Sequence, residues 1–338
     1  MASENTSARP RRRVRLPRVP SGGRHAPRGT VRAVVAVAAL ACATLGTVTY
    51  GSAVSASPPR TAAAAAAPSG GAAANVAIVK ASGAIVKASG ESRVMWSEVL
   101  EAALRDVSGD PEARYSVAVL DTASGARAVY GDGLYDTASI VKVDILAALL
   151  LQAQDAGRDL TAQEKAWAEV MIEYSDNAAA TALWRAIGRG AGLDAANRRL
   201  GLTSTTPGSG LLWGLTRTTA ADQLTLLQRV FGTDGALDAA SRGYVRRLMG
   251  RVSAAQAWGV PTAADGSYEV KNGWLQRSTT GLWDINSIGR IRAGGRTYLV
   301  AVVSRGSTTQ AAGITLVERA ARAAVRAFSR AAGRSGAP

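Results

Sequence analysis

Histidine and cysteine are almost missing from this 338-residue chain: His25 and Cys42 are the single instances of each. Both lie in the N-terminal segment, so the body of the protein has neither. That excludes a Ser-His-Asp triad, a cysteine nucleophile, a disulfide and any zinc site built on His or Cys in the body. Lysine is scarce as well, with five residues (Lys80, Lys87, Lys142, Lys165 and Lys271) against 35 arginines. Arginine does not deprotonate in proteins, so a catalytic base here has to be a lysine, a carboxylate or a tyrosine. Nothing in the composition calls for a metal or an organic cofactor.

Hydrophobic residues make up 47% and charged residues 19%, enough apolar material for a sizeable core. The formal charge of +15 is unevenly spread. Residues 1–56 hold nine Arg and one Glu, and the remainder carries only +7. No basic stripe interleaved with aromatics follows, so nucleic acid is not expected as a partner. The folded body is expected to be a monomer.

The first 56 residues run basic, then apolar, then small, which is the order of a secretory leader. Val54-Ser55-Ala56 offers a cleavage site. The uncharged run 33–56 is also long enough to stay as a membrane anchor. Either way the body is expected to be secreted or held on the outer face of the membrane. Arg12-Arg13 lies too far from the apolar run for a twin-arginine address. Cys42 reads as a small leader residue rather than a lipidated one, because Ala39 stands where a large aliphatic is expected. Residues 57–91 read as an Ala/Gly/Pro-rich linker with a short tandem repeat, Ile78–Gly83 and Ile85–Gly90. The folded domain is assigned to 92–334.

Within it, Trp96, Val99, Leu100, Ala103 and Leu104 have helical spacing. Tyr115–Leu120 and Arg127–Tyr130 read as a hairpin. Ser139–Asp155 is apolar nearly all round and therefore predicts a buried helix, capped by Asp136 or Thr137. Helices over 161–174, 178–187 and from Thr219 to Phe231 follow. Strands at 268–274, 282–291 and 297–304 precede a last helix over about 314–328. This order predicts an α/β (α+β) fold: one antiparallel sheet, flanked by N- and C-terminal helices, with an all-helical subdomain.

Three short motifs carry candidate chemistry. In Ser139-Ile140-Val141-Lys142 the three-residue spacing puts both polar side chains on one helix face. A buried lysine beside a serine is a plausible general base, because desolvation disfavours its ammonium form. The Ser139 amide, in the first helical turn, can face a developing oxyanion. Ser175-Asp176-Asn177 lies between two helices, where Ser, Asp and Asn also serve as ordinary caps. Lys271-Asn272-Gly273 ends a strand, and the glycine lets a substrate backbone approach the strand edge. The Trp274 amide is the candidate second oxyanion donor.

In order and setting these motifs resemble the class A β-lactamases and the related penicillin-binding D,D-peptidases. The resemblance spans roughly 92–330 and includes Tyr135-Asp136-Thr137-Ala138-Ser139, Leu160-Thr161 and Asn286-Ser287-Ile288-Gly289. It looks closest to an actinobacterial branch of secreted serine hydrolases. It implies Ser139 as acylated nucleophile, Lys142 as base, Ser175 as proton shuttle, Asn177 as substrate ligand and Lys271 as electrostatic anchor. Gly273 and Trp274 would line the oxyanion side, and the partner implied is a small-molecule or peptide acyl substrate.

The chain also departs from that pattern. The loop Thr203–Gly214 holds no carboxylate to activate a deacylating water, and Asp194, expected just before a short helix, is the one acid between Asn177 and Thr218. Asn272 stands where a Thr or Ser usually helps bind the substrate carboxylate. The segment between Lys142 and Ser175 is shorter than in the lactamases. Slow deacylation is therefore expected. The alternatives are a true class A β-lactamase, a non-catalytic module for cell-wall peptide on the same fold, or a structural envelope protein.

Overall fold

The computed structural model describes residues 95–335, so the leader, the linker and the tandem repeat lie outside the described residues. Helix α1 covers residues 95–104. Strands β1 (Arg114–Asp121) and β2 (Arg127–Tyr130) form the expected hairpin. A short strand β3 (Tyr135–Asp136) leads through a 3-10 turn, Ala138–Ile140, into α2 (Val141–Asp155). Helices α3 (Ala162–Glu173), α4 (Asn177–Ala186) and α5 (Arg189–Leu200) follow, then β4 (Arg217–Thr218), α6 (Ala220–Phe231) and α7 (Ala239–Met249). The chain then returns to the sheet with β5 (Tyr268–Gln276), β6 (Trp283–Ala293) and β7 (Arg296–Ser307), and ends in α8 (Gln310–Ser335).

The main sheet is antiparallel throughout, in the order β2-β1-β7-β6-β5. Alternation of side chains across it feeds two cores. One face, with Val117, Val119, Tyr298, Val300 and Val302, packs on α1 and α8. The other, with Ala118, Leu299, Ala301 and Val303, packs on α2, α6 and the helical subdomain. Because β5 is an edge strand, one side of its backbone is left for another chain or a ligand.

Helix α2 is the pivot between the two layers. Twelve of its fifteen residues are buried, among them Lys142 and Asp144. Its entry differs from the expected cap. Thr137 stands at the start of the 3-10 turn and makes no side-chain cap bond, while Asp136 is drawn into an ion pair with Arg277. Helix α3 has the full capping box, with Thr161 and Glu164 each accepting from the other's backbone amide. At α6 only half of such a box forms: Thr219 accepts from the Asp222 amide, but Asp222 is held by Ser204 and Thr205 instead. Asp194 lies within α5, not before it, and pairs with Arg198 one turn on. Among the described residues no helix is long and apolar enough to cross a membrane.

Candidate active site

The 3-10 turn presents Ser139, half-buried, between the fully buried Ala138 and Ile140. Ala138 holds φ at +47°, in the left-handed region that costs an alanine of order 1 kcal/mol. Ser175 is the second such residue, at +59°. Of the three non-glycine residues with positive φ among those described, two therefore lie at or beside motif serines. Strain of this kind persists only where the surroundings over-determine it, and it clusters at functional sites.

The surroundings are visible around Ser139. Gly273 on β5 comes so close that a β-carbon on it would meet the Ser139 nitrogen at 2.6 Å and the Thr137 oxygen at 2.7 Å. From β6, one amide nitrogen of Asn286 donates to the carbonyls of Asp136 and Thr137, at 2.8 and 3.0 Å. The other end of that amide accepts from the Ser304 N–H at 3.0 Å. Sheet and Ser139 turn are thus clamped in register, with the edge strand alongside the Ser139 amide.

Lys142 is fully buried, and its ammonium group reaches the second motif. It donates to the Ser175 carbonyl (2.7 Å), the Ser175 hydroxyl (3.1 Å) and Oδ1 of Asn177 (2.8 Å). The Trp213 ring lies 5.0 Å from the same nitrogen. Burial lowers the Lys142 ammonium to about 7, with the nearby Asp176 carboxylate pulling the other way. Lys271, also fully buried, donates to the Ser175 hydroxyl (3.0 Å) and to the Asn272 carbonyl (2.9 Å). Burial first, and the charge of Lys142 second, hold it well below the ordinary lysine range. Asp176 caps α4 through the Ala179 amide at 2.7 Å, so the second motif is helix cap and lysine ligand at once.

Lys142, Ser175, Asn177 and Lys271 therefore form one hydrogen-bonded cluster, and Ser139 and Gly273 one contact. Trp274 follows Gly273 on the edge strand, paired with Ile285. The Ser139 hydroxyl itself makes no hydrogen bond among the described residues, to Lys142 or to any other group. Two residues that the sequence motifs did not single out matter here. Trp213 is fixed over Lys142 by its indole N–H bond to Thr181 (3.1 Å), and Asn286 fastens the turn that carries Ser139. Asn286 stood inside a familiar tetrapeptide, but no local spacing pointed to its long-range partners.

The model of the β-lactamase enzyme family matches residues 164–328. The chain is β-lactamase-like. Its folded part is similar to the solved structure of PBP-A (TM-score 0.60, 20% identity, 69% of this chain and 97% of that one). An ancestral class A β-lactamase is similar too (TM-score 0.56, 24% identity, 69% and 100%). Likeness at these identities shows a shared fold. A curated relative, a putative lipoprotein of Mycobacterium tuberculosis, is 30% identical over 174 residues, covering 48% of this chain and 54% of that protein. The chain thus spans about half the length of the curated relatives it matches. The β-lactamase-like fold carries a loop over 203–216 without a carboxylate, and Trp213 of that loop is the group next to Lys142.

Proposed function

We propose that the chain is an extracytoplasmic serine hydrolase that forms an acyl-enzyme at Ser139 and releases it slowly. The observation that carries this reading is the Ser175 hydroxyl, held between Lys142 and Lys271 at 3.1 and 3.0 Å. Two depressed ammonium groups on one hydroxyl supply a neutral amine and a proton relay in the same contact. In the reaction, neutral Lys142 takes the Ser139 proton as Oγ attacks the carbonyl carbon. The tetrahedral oxyanion is met by the Ser139 and Trp274 amides across the Gly273 approach. Collapse breaks the bond to the leaving nitrogen or oxygen, which takes its proton from the Ser175 hydroxyl. Ser175 is reprotonated from Lys142, and the acyl-enzyme remains. A water could then attack it, but the loop over 203–216 offers no carboxylate to activate that water.

Substrates of β-lactam or cell-wall amide and ester type fit this chemistry. A leucine-to-glutamate mutant of PBP-A is known as an acyl-enzyme complex with penicillin G, which gives the adduct a precedent on this fold. The lipoprotein relative agrees with a protein that works outside the cytoplasm. One observation favours a second reading, a cell-wall peptide-binding module: the Ser139 hydroxyl is not bonded to Lys142. Such bonds often close only when substrate arrives. Intact-mass analysis of the protein and of its Ser139→Ala variant, each with a reporter penicillin and a fluorophosphonate, separates the two. A lasting adduct on the unmutated protein alone supports the hydrolase. A folded protein inert to both reagents supports the module.

A further inference from the structure

We infer that the Trp213 ring shuts water and other small nucleophiles out of the Lys142 side of an acyl group on Ser139, so that closed access, and not only the missing carboxylate, keeps the acyl-enzyme from being released. This rests on the hydrolase reading and names the residue that sets the lifetime of its intermediate.

Hydrolysis of the adduct needs a water in contact with both the acyl carbon and a base. On the side of the 203–216 loop that base is Lys142, since the Asp176 carboxylate is occupied as the cap of α4. The hydrogen-bonding positions around Lys142 are filled: the Ser175 carbonyl, the Ser175 hydroxyl and Oδ1 of Asn177 all lie within 3.1 Å of its nitrogen. From the loop comes the Trp213 ring, 5.0 Å from the same nitrogen, and the lysine is left with no exposure to solvent. A water held in a protein needs several polar partners. The indole supplies none here. Its one N–H is spent on Thr181 of α4, at 3.1 Å, and what it turns to Lys142 is the ring.

The ring is held in place from both ends of its loop. Trp184, also on α4, donates its indole N–H to the Gly210 carbonyl at 2.8 Å. Beyond Trp213, the Thr216 carbonyl accepts from the Thr137 amide at 2.8 Å. Between these points Gly214 lies against the Ser139 turn, where a β-carbon on it would stand 3.8 Å from the Ala138 Cα. The loop is therefore fastened to α4 on one side and to the Ser139 turn on the other, and Trp213 lies between them. A ring in that position fills the space a hydrolytic water requires.

The test uses the full-length protein, acylated with a reporter penicillin and freed of excess reagent, and follows intact mass in buffer and in hydroxylamine. Hydroxylamine needs no general base. Its nitrogen attacks the acyl carbon, the bond to Ser139 Oγ breaks, the proton passes to Oγ and a hydroxamate leaves. A penicillin is chosen because ring opening keeps the amine tethered on the side from which a leaving group would otherwise depart, so release reports on the Trp213 side. The adduct of the unmutated protein is expected to resist hydroxylamine, and the Trp213→Ala adduct to be released at least roughly tenfold faster. Trp213→Phe keeps a ring without the Thr181 bond and should fall between them. If Trp213→Ala does not fold, the step from the unmutated protein to Trp213→Phe carries the test. Acylation should survive in both variants, whereas a merely loosened fold would slow it. An unmutated adduct released as fast as those of the variants overturns the inference and leaves the missing carboxylate as the sole cause. Variant adducts as resistant as the unmutated one overturn it too. A folded protein that takes neither the penicillin nor a fluorophosphonate overturns the hydrolase reading instead.

Discussion

Asn286 fastens Thr137 to the sheet: the β6 side chain donates to the Thr137 carbonyl at 3.0 Å, two residues before Ser139. The same nitrogen bonds the Asp136 carbonyl, and Oδ1 receives the Ser304 amide. Three backbone groups therefore depend on one buried amide. Asn286→Ala is expected to cost about 2–4 kcal/mol, since each orphaned buried group costs about 1–3 kcal/mol and some find water. Acylation should fall further than the loss of folded protein explains, because the turn holding Ser139 loses its anchor. Denaturant melts and burst kinetics on the same samples would decide. A stable variant with unchanged bursts would remove Asn286 from the site.

Gly273 is needed for close approach, not for an unusual φ. Its neighbours at 2.6–2.9 Å from a notional β-carbon are backbone atoms of Thr137, Ser139 and Ile140, which cannot swing aside. Gly273→Ala is expected to push β5 off the nucleophile turn, at about 1–3 kcal/mol in stability. The oxyanion contact should suffer more: loss of one donor typically costs about 10²–10³-fold in rate. A Gly273→Ala protein that acylates normally would mean that the oxyanion is not held here.

The sheet and the motifs were legible because they are local. Short runs rich in Val, Ile and Leu mark β1, β6 and β7, and a longer continuous apolar run marks α2. Helix α5 was not legible: RGAGLDAANRRL has two glycines and four residues on its buried side, one of them Asn197. Its missing periodicity is why Asp194 was misplaced to the front of a helix. Helix α7 hides likewise, with Ser241 among its buried residues. The direction of the Asn272 side chain depends on carbonyls 14 and 16 residues away, and the Asn286 clamp spans about 150. No short window contains such pairs. The left-handed backbone at Ala138 and Ser175 has no signature in residue type at all.

Lys142 should set the pH dependence of acylation. Only its neutral form accepts the Ser139 proton, and burial brings the ammonium down to about 7. The acylation rate should rise about tenfold per pH unit below 7 and level off above it. Asp176 raises this value by its charge, so Asp176→Asn should move the limb to lower pH while the asparagine still caps α4. Stopped-flow burst rates over pH 5–9, in roughly unit steps, would show this. A limb that stays put or moves upward would rule out Lys142 as the titrating base.

Asp144 predicts a stability change of opposite sign to the lysines. It is fully buried on α2, neither carboxyl oxygen has a partner, and burial raises its carboxyl to about 8. Gln223 faces it and is itself left with an unpaired Oε1. One proton on Asp144 reconciles the two acceptors. Between about pH 4 and 8 the folded chain keeps a proton that the unfolded chain gives up, so this group makes stability fall as pH rises. Lys142 acts the other way above about 7, where the unfolded lysine holds a proton the folded one has lost. Asp144→Asn keeps the shape and supplies a permanent donor. It should match the parent protein near pH 4 and exceed it at pH 8 by an amount on the order of a few kcal/mol. Urea melts at the two pH values measure the difference. An equal shift at both would show that Asp144 is ionised in the fold and that Gln223 rather than a proton satisfies it.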